Sequence, residues 1–406
     1  MHHLLPLVLA FLIPAVSAAR NETFLEEALY HEYRSQALDD AAVPGGALVP
    51  AAQKLHVDAV WDLVEEGYQE ALRSVDDDAT FYYTLFERLR IGLLRLRAGG
   101  ASNLDPVLAA EVAGLLRSPE PEARMVYLVA GDEELLRRAG HGDLVDLARA
   151  HGTAFAAVTK RPKALSPTLV TDLFWNAPAP ENWRDGAYAR AVRLYMFCRE
   201  DRRYPCLFAL RNAAGEAVRN PDGTLWTQPA LGSSKHGFPS HQRNGDTPAG
   251  VLTMDSVMPA ADQPETFGRF RRVILNFVPA SADEGLLKAV LPPSSRSEGW
   301  WRPAVIARDV GRNLLRIHGT GKLNSDPATP FFPFLQTLGC VAQLENTYGA
   351  VTYRDQQNLL DVVLRALALA PTFENEPRIK GLLYLVELDN KTAPVTPTDL
   401  AERGIR

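Results

Sequence analysis

Cysteine is scarce in this sequence, three residues in 406, which excludes a scaffold built on disulfides. The odd count leaves a thiol over if the other two pair. Positive charge is short as well: 43 Lys and Arg stand against 49 Asp and Glu, with no basic block among them. The electrostatic footprint of a nucleic-acid binder is therefore missing. Long apolar runs are lacking too, since no stretch approaches the ~18 consecutive apolar residues of a membrane-spanning helix. Gly and Pro, at 28 and 29, are near average, and 46% hydrophobic residues lie far above a disordered composition. Collagen-like, low-complexity and unfolded classes are excluded. What is present is ordinary globular protein, long enough at ~150 residues per domain for two or three domains.

The short apolar run at 4–14 ends in Ala15-Val16-Ser17-Ala18 and reads as a signal peptide over residues 1–18. His2 and His3 stand where Lys or Arg is usual, so a retained N-terminal anchor is the alternative. The expectation is a chain exported to the periplasm or cell envelope, without a membrane span once processed. No cysteine follows the run to carry a lipid.

Two halves differ in periodicity. Val57, Val60, Val64, Tyr68 and Ala71 share one helical face, and Tyr82, Leu85, Leu89, Leu93 and Leu96 share another. A third helix is expected from Ser118-Pro119-Glu120, where Ser caps, Pro suits the first turn and the acid suits the positive end. Past Tyr204 strands dominate: 206–210, 250–254, 272–278, 314–317 and 382–388, with a turn at Asn220-Pro221-Asp222-Gly223 and one helix over 356–369. The fold class is α+β. An all-α domain at 19–200 precedes a mainly β domain at 201–395, and 396–406 is a tail.

Cys198 and Cys206 either pair or remain as two buried thiols, and spacing does not decide between these. Cys340 is left over in Thr337-Leu338-Gly339-Cys340-Val341, and Arg316-Ile317-His318-Gly319-Thr320 ends an upstream strand. A cysteine nucleophile needs a base, and imidazole titrates in the useful range. A glycine before the cysteine permits a tight turn whose backbone N–H groups converge on an oxyanion.

The stretch from His318 to Cys340 resembles the signature of the L,D-transpeptidases, the YkuD-type cell-wall cysteine enzymes, in which a His-Gly pair precedes a Ser/Thr-His-Gly-Cys turn. Asn244-Gly245-Asp246-Thr247-Pro248-Ala249-Gly250-Val251 looks like the segment that leads into that family's catalytic sheet. The likeness covers roughly residues 204–390. Two positions depart from it: Leu338 replaces the histidine before Gly-Cys, and Ala342 replaces the Arg or Asn after the cysteine.

The resemblance implies acyl transfer on peptidoglycan stem peptides. Cys340 is then the nucleophile, His318 the general base and acid, and the Gly319 carbonyl the group that orients the imidazole. Backbone N–H groups of Leu338, Gly339 and Cys340 would hold the oxyanion. Trp300, Trp301 and Arg302 are candidate substrate contacts, against core packing as the alternative for the aromatics. No cofactor and no metal are expected, although His236, His241 and Asp246 raise a metal alternative that lacks any zinc spacing. Water as acceptor would give a carboxypeptidase or endopeptidase. Leu338 and Ala342 favour a third possibility, an inert cell-wall scaffold whose helical domain recruits a protein partner.

Overall fold

The run Val192-Arg193-Leu194-Tyr195-Met196-Phe197-Cys198-Arg199 is buried at every position, the mark of a strand covered on both faces. It is the first strand of the sheet that organises the larger part of this protein. The computed structural model describes residues 78 to 406, apart from 98–100, 161–163, 180–187, 243, 262–263, 279–284, 311, 313 and 349. The expected signal peptide and the helical face at Val57–Ala71 lie outside the described residues. The chain divides into two compact units, Met1–Thr159 and Lys160–Arg406.

In the first unit the described elements are helices: α1 (Asp78–Arg97), α2 (Pro106–Leu116), α3 (Ala123–Gly131), α4 (Glu133–Arg138), α5 (Gly142–Ala150) and α6 (Gly152–Thr159). Leu85, Leu89, Leu93 and Leu96 are buried as the periodicity predicts. The Asp105 carboxylate caps α2 by accepting from the N–H groups of Val107 and Leu108, with Pro106 in the first turn. The helix expected from Ser118 begins instead at Ala123. Arg117 and Ser118 donate back to Ala113 and Leu115, so they finish α2 and are not available to start α3.

The second unit runs α7 (Pro167–Asn176), β1 (Val192–Arg199), β2 (Cys206–Arg211), β3 (Thr227–Ala230), β4 (Gly250–Val257), α8 (Pro264–Phe267), β5 (Val273–Phe277), α9 (Gly285–Ala289), α10 (Arg302–Asp309), β6 (Arg316–Gly319), β7 (Val341–Gln343), β8 (Glu345–Tyr348), β9 (Val351–Arg354), α11 (Asp355–Ala366), β10 (Lys380–Asp389) and α12 (Pro397–Ala401). Eight strands form one sheet in the order β3-β2-β1-β10-β4-β5-β6-β7. The pairs β1–β10 and β6–β7 are parallel and the rest antiparallel. Bridges from Leu231 to Ala342 and from Ser234 to Thr337 tie the chain after β3 to the last strand, so the sheet nearly closes on itself. The hairpin β8–β9 stands apart.

Alternation along the strands builds two cores. Tyr195, Phe197, Tyr384 and Val386 face α7 and the Trp300-Trp301 pair, while Leu194, Met196, Leu383 and Leu385 belong with Leu359, Leu360 and Val363 of α11. Cys198 and Cys206 are bonded to each other, with Cα atoms 4.3 Å apart across the β1–β2 hairpin.

The class is mixed helix and sheet, as expected, but two boundaries move. The division falls at Thr159 and Lys160, not near residue 200, because β1 pairs with β10 on one side and β2 on the other. Nor do residues 396–406 form a loose tail. Leu400 and Ile405 are core residues, Thr396 and Asp399 form a capping box, and Arg199 holds Asp399 at 2.7 Å. Burial alone would raise the Asp399 carboxyl; N–H and hydroxyl of Thr396, Lys391 and Arg199 outweigh it and hold the group well below its usual range. No helix among the described residues is long and apolar enough to cross a membrane.

Candidate active site

His318 lies on β6, a strand of four residues paired on both edges, and is 3% exposed. Its Nδ1 is 2.6 Å from the Gly319 carbonyl oxygen. A carbonyl only accepts, so Nδ1 carries the proton and Nε2 presents a lone pair. Nε2 is buried without a hydrogen-bond partner. Phe267, at the end of α8, meets the ring edge to face at 5.1 Å. Burial drives the imidazole pKa down to about 4, with Arg272 and Arg316 adding to the shift and the Gly319 carbonyl opposing it. The ring is neutral at pH 7.

Cys340 is the free cysteine among the described residues and immediately precedes β7. The parallel register sets Ile317 opposite Val341 and His318 opposite Ala342. Cysteine and histidine thus sit on neighbouring strands, two register positions apart. They are not hydrogen-bonded to each other: the thiol points to the Leu314 carbonyl, 3.8 Å away. The residue is half-buried, and loss of water around the sulfur pushes its pKa up. The backbone N–H of Arg316 and the charges of Arg316, Arg312 and Arg272 act in the opposite direction.

The turn before the cysteine is closed from inside. Thr337 Oγ1 donates to the Cys340 carbonyl at 2.7 Å and accepts the Gly339 N–H at 3.2 Å. That N–H is already used, which leaves Leu338 and Cys340 as the turn's candidate oxyanion donors. Gly339 has φ +99°, and a Cβ there would lie 2.3 Å from the Gly245 carbonyl oxygen and 2.4 Å from an Arg312 nitrogen. Thr247 Oγ1 donates to the Gly339 carbonyl at 2.9 Å. The Asn244–Val251 segment singled out in the sequence therefore braces the cysteine turn. Arg312, 7% exposed, secures that segment and the loop before it by donating to the carbonyls of Ser240, Gly245 and Asp246.

No family model, curated protein or solved structure matches this chain. Its chemistry rests on these residues alone.

Trp300 and Trp301 are 4% and 1% exposed and belong to the core cluster of Phe174, Tyr195 and Tyr384. They cannot line an open groove. Arg302 is exposed, with its guanidinium 5.4 Å over the Trp301 ring, and no contact joins it to the cysteine. No group of three His, Cys, Asp or Glu able to hold a metal occurs among the described residues. Asp246 is engaged by the Ser234 N–H at 2.7 Å, and His236 packs at a tilt against the Phe238 ring.

Sequence reasoning missed Glu345. It is 4% exposed and accepts the Arg269 N–H at 2.6 Å. It fills the space left by Gly268 and Gly319, whose absent Cβ atoms would each fall 2.2 Å from its carboxyl group. Burial raises its pKa to about 7 against the N–H groups of Arg269 and Phe270. Its one sequence signal is the pair of glycines, which shows only once the strands are paired.

Proposed function

We propose that residues 160–406 act as a cysteine acyltransferase of the L,D-transpeptidase type on peptidoglycan stem peptides. The observation that carries this reading is the Nδ1–H of buried His318 donated to Gly319, which leaves Nε2 as a bare lone pair one strand away from Cys340. A neutral thiol beside a neutral imidazole is the resting state of a general-base pair. Proton transfer from sulfur to Nε2 then accompanies attack, and the imidazolium returns the proton to the leaving amine. Attack forms the S–C bond of a thioester and expels the terminal D-alanine. An amine or water next breaks that thioester, with His318 taking the second proton. Nε2 and Sγ must close on each other when substrate enters, as catalytic hydrogen bonds often tighten only in the complex.

A second reading, an inert cell-wall scaffold, has its own support in the thiol that faces Leu314 instead of His318. Intact mass after incubation with a carbapenem separates the two. We expect one adduct on the wild type, none on Cys340→Ala, and acylation slowed on the order of a hundredfold in His318→Gln. Absence of any adduct, together with no D-alanine released from a tetrapeptide stem, would remove the enzyme reading.

A further inference from the structure

Arg193 and Arg211 face each other across the first pair of strands. The antiparallel register sets Arg193 of β1 directly opposite Arg211 of β2, and the period of two along each strand puts them on the face of Tyr195 and Ala209. Both are buried, at 4% and 7% exposed. Like charges directly opposite in a sheet are destabilising, and a buried charge is ordinarily paired with an opposite one. Here the partners are neutral. Arg193 Nε donates to the Pro178 carbonyl at 3.4 Å, while Arg211 donates to the carbonyls of Gly215 at 2.7 Å and Phe174 at 2.8 Å. The Tyr195 phenol also accepts from Arg211 and gives its own proton to the Leu173 carbonyl. The groups acting on Arg193 are the phenols of Tyr195 and Tyr384 and the charge of Arg211, with no carboxylate among them. Arg193 Nη1 is buried without a hydrogen-bond partner. A buried charged donor without an acceptor is costly, and its natural partner is an anion.

The space for one lies beside Gly215, in the loop that follows β2. At φ +86° this residue turns its Cα toward both guanidinium groups. A Cβ there would lie 3.0 Å from Arg211 Nη2 and 3.4 Å from Arg193 Nη1; among the described residues, Gly215 and its chain neighbours aside, the next atom is Arg211 Cζ at 3.9 Å. Nitrogens of two different arginines thus border one gap. The loop's own carboxylate, Glu216, is engaged elsewhere, by Asn212 Nδ2 at 3.0 Å. We propose that Arg193 and Arg211 hold a phosphate-class oxyanion beneath this loop. Two guanidinium charges call for an ion near −2, which phosphate approaches at neutral pH and a carboxylate does not. Donors on two separate strands suit a tetrahedral ion with oxygens on several sides. Inorganic phosphate and the terminal phosphate of an ester share this chemistry. The site uses no residue of the Cys340 turn and does not depend on the acyltransferase reading.

The measurement is the thermal midpoint of the full chain as inorganic phosphate replaces chloride at fixed ionic strength and neutral pH. A ligand bound by the folded chain alone raises the midpoint by mass action: at ten times Kd the ratio of folded to unfolded grows about elevenfold, a shift of roughly 3–5 °C for a domain of this size. The shift should saturate, and Arg193→Gln and Arg211→Gln should each abolish it. Hydrogen exchange on the wild type locates the ion without any substitution and decides the matter if either variant fails to fold, since phosphate should then protect peptides spanning Asn212–Glu216. Glycerol 3-phosphate distinguishes the sources: a shift matching that of phosphate assigns the site to an ester, and no shift assigns it to the free ion.

A midpoint that phosphate moves no further than chloride overturns the site. So does an equal shift in the wild type and both folded variants, which is a general salt effect, or protection that spares Asn212–Glu216. Acetate matching phosphate at the same ionic strength overturns the assignment to the phosphate class.

Discussion

His318 and Glu345 titrate in opposite senses across the same range of pH. The folded imidazole has its pKa lowered from 6.5 to about 4, chiefly by burial, so between those values the unfolded chain binds a proton that the folded one refuses. Stability from this group rises with pH through that window, by about 3 kcal/mol. Glu345 has its pKa raised from 4.5 to about 7, again chiefly by burial, so the folded chain keeps a proton that the unfolded one releases. Its contribution is full below pH ~4.5 and falls by about 3 kcal/mol as pH rises through 7. Asp355, raised by burial from 3.8 to about 6, acts in the same sense as Glu345. Urea midpoints between pH ~4.5 and ~7 should therefore decline less with pH in Glu345→Gln than in wild type, because His318 then opposes Asp355 alone, and decline more steeply than wild type in His318→Gln. Identical slopes in all three chains would show that neither group shifts as argued. The two titrating residues were unequally legible in the sequence. His318 announces itself as a strand-end histidine before glycine, whereas Glu345 is buried because Gly268 and Gly319 lack side chains where it packs. Trp300 and Trp301 were candidates for a groove because bulky aromatics serve surface and core alike, and here the core took both.

At the scale of single elements, the cysteine turn depends on one backbone conformation. Gly339 at φ +99° lies in the region that side chains rarely adopt, and the Gly245 carbonyl and the Arg312 guanidinium occupy the space a Cβ would need. Gly339→Ala should cost roughly 2–4 kcal/mol of stability and displace Cys340 from β6, so that carbapenem acylation falls with it. Thermal unfolding and the rate of carbapenem adduct formation check this, and a variant with both unchanged would refute it. Elements with alternating burial or clear turns were legible: the segments read as 250–254, 272–278 and 382–388 are β4, β5 and β10, and the helix read over 356–369 is α11. Elements set by distant partners were not. β1 carries a continuous apolar run with arginines at its ends, which periodicity alone does not separate from a buried helix. The strand read at 314–317 is displaced to Arg316–Gly319 because Leu314 takes φ +60°.

For the molecule as a whole, the parallel pairing of β1 with β10 decides where an autonomous unit begins. Val192 to Arg199 run beside Gly381 to Asp389, although nearly the whole sheet intervenes in sequence, and Phe197 also faces Leu207 of β2. Tyr195 stacks on Tyr384 at 4.9 Å, and Arg199, 1% exposed, binds both Asp389 and Asp399. A chain starting at residue 201 would lose the strand between β2 and β10, Asp389 and Asp399 would lose Arg199 and keep only Arg403 and Lys391, and Cys206 would have no cysteine to bond. The loss of β1 strips the hydrogen-bonding partner from one edge of both β2 and β10 and takes Tyr195 and Phe197 out of the core, which is large against the ~5–15 kcal/mol that holds a typical domain. A chain starting at Lys160 keeps every strand of the sheet. It should unfold cooperatively in urea and still label at Cys340, whereas the chain from residue 201 should show neither a cooperative transition nor selective labelling. If the shorter chain folded and labelled normally, β1 would be dispensable, and the sheet order that sets β6 and β7 side by side would no longer account for the site.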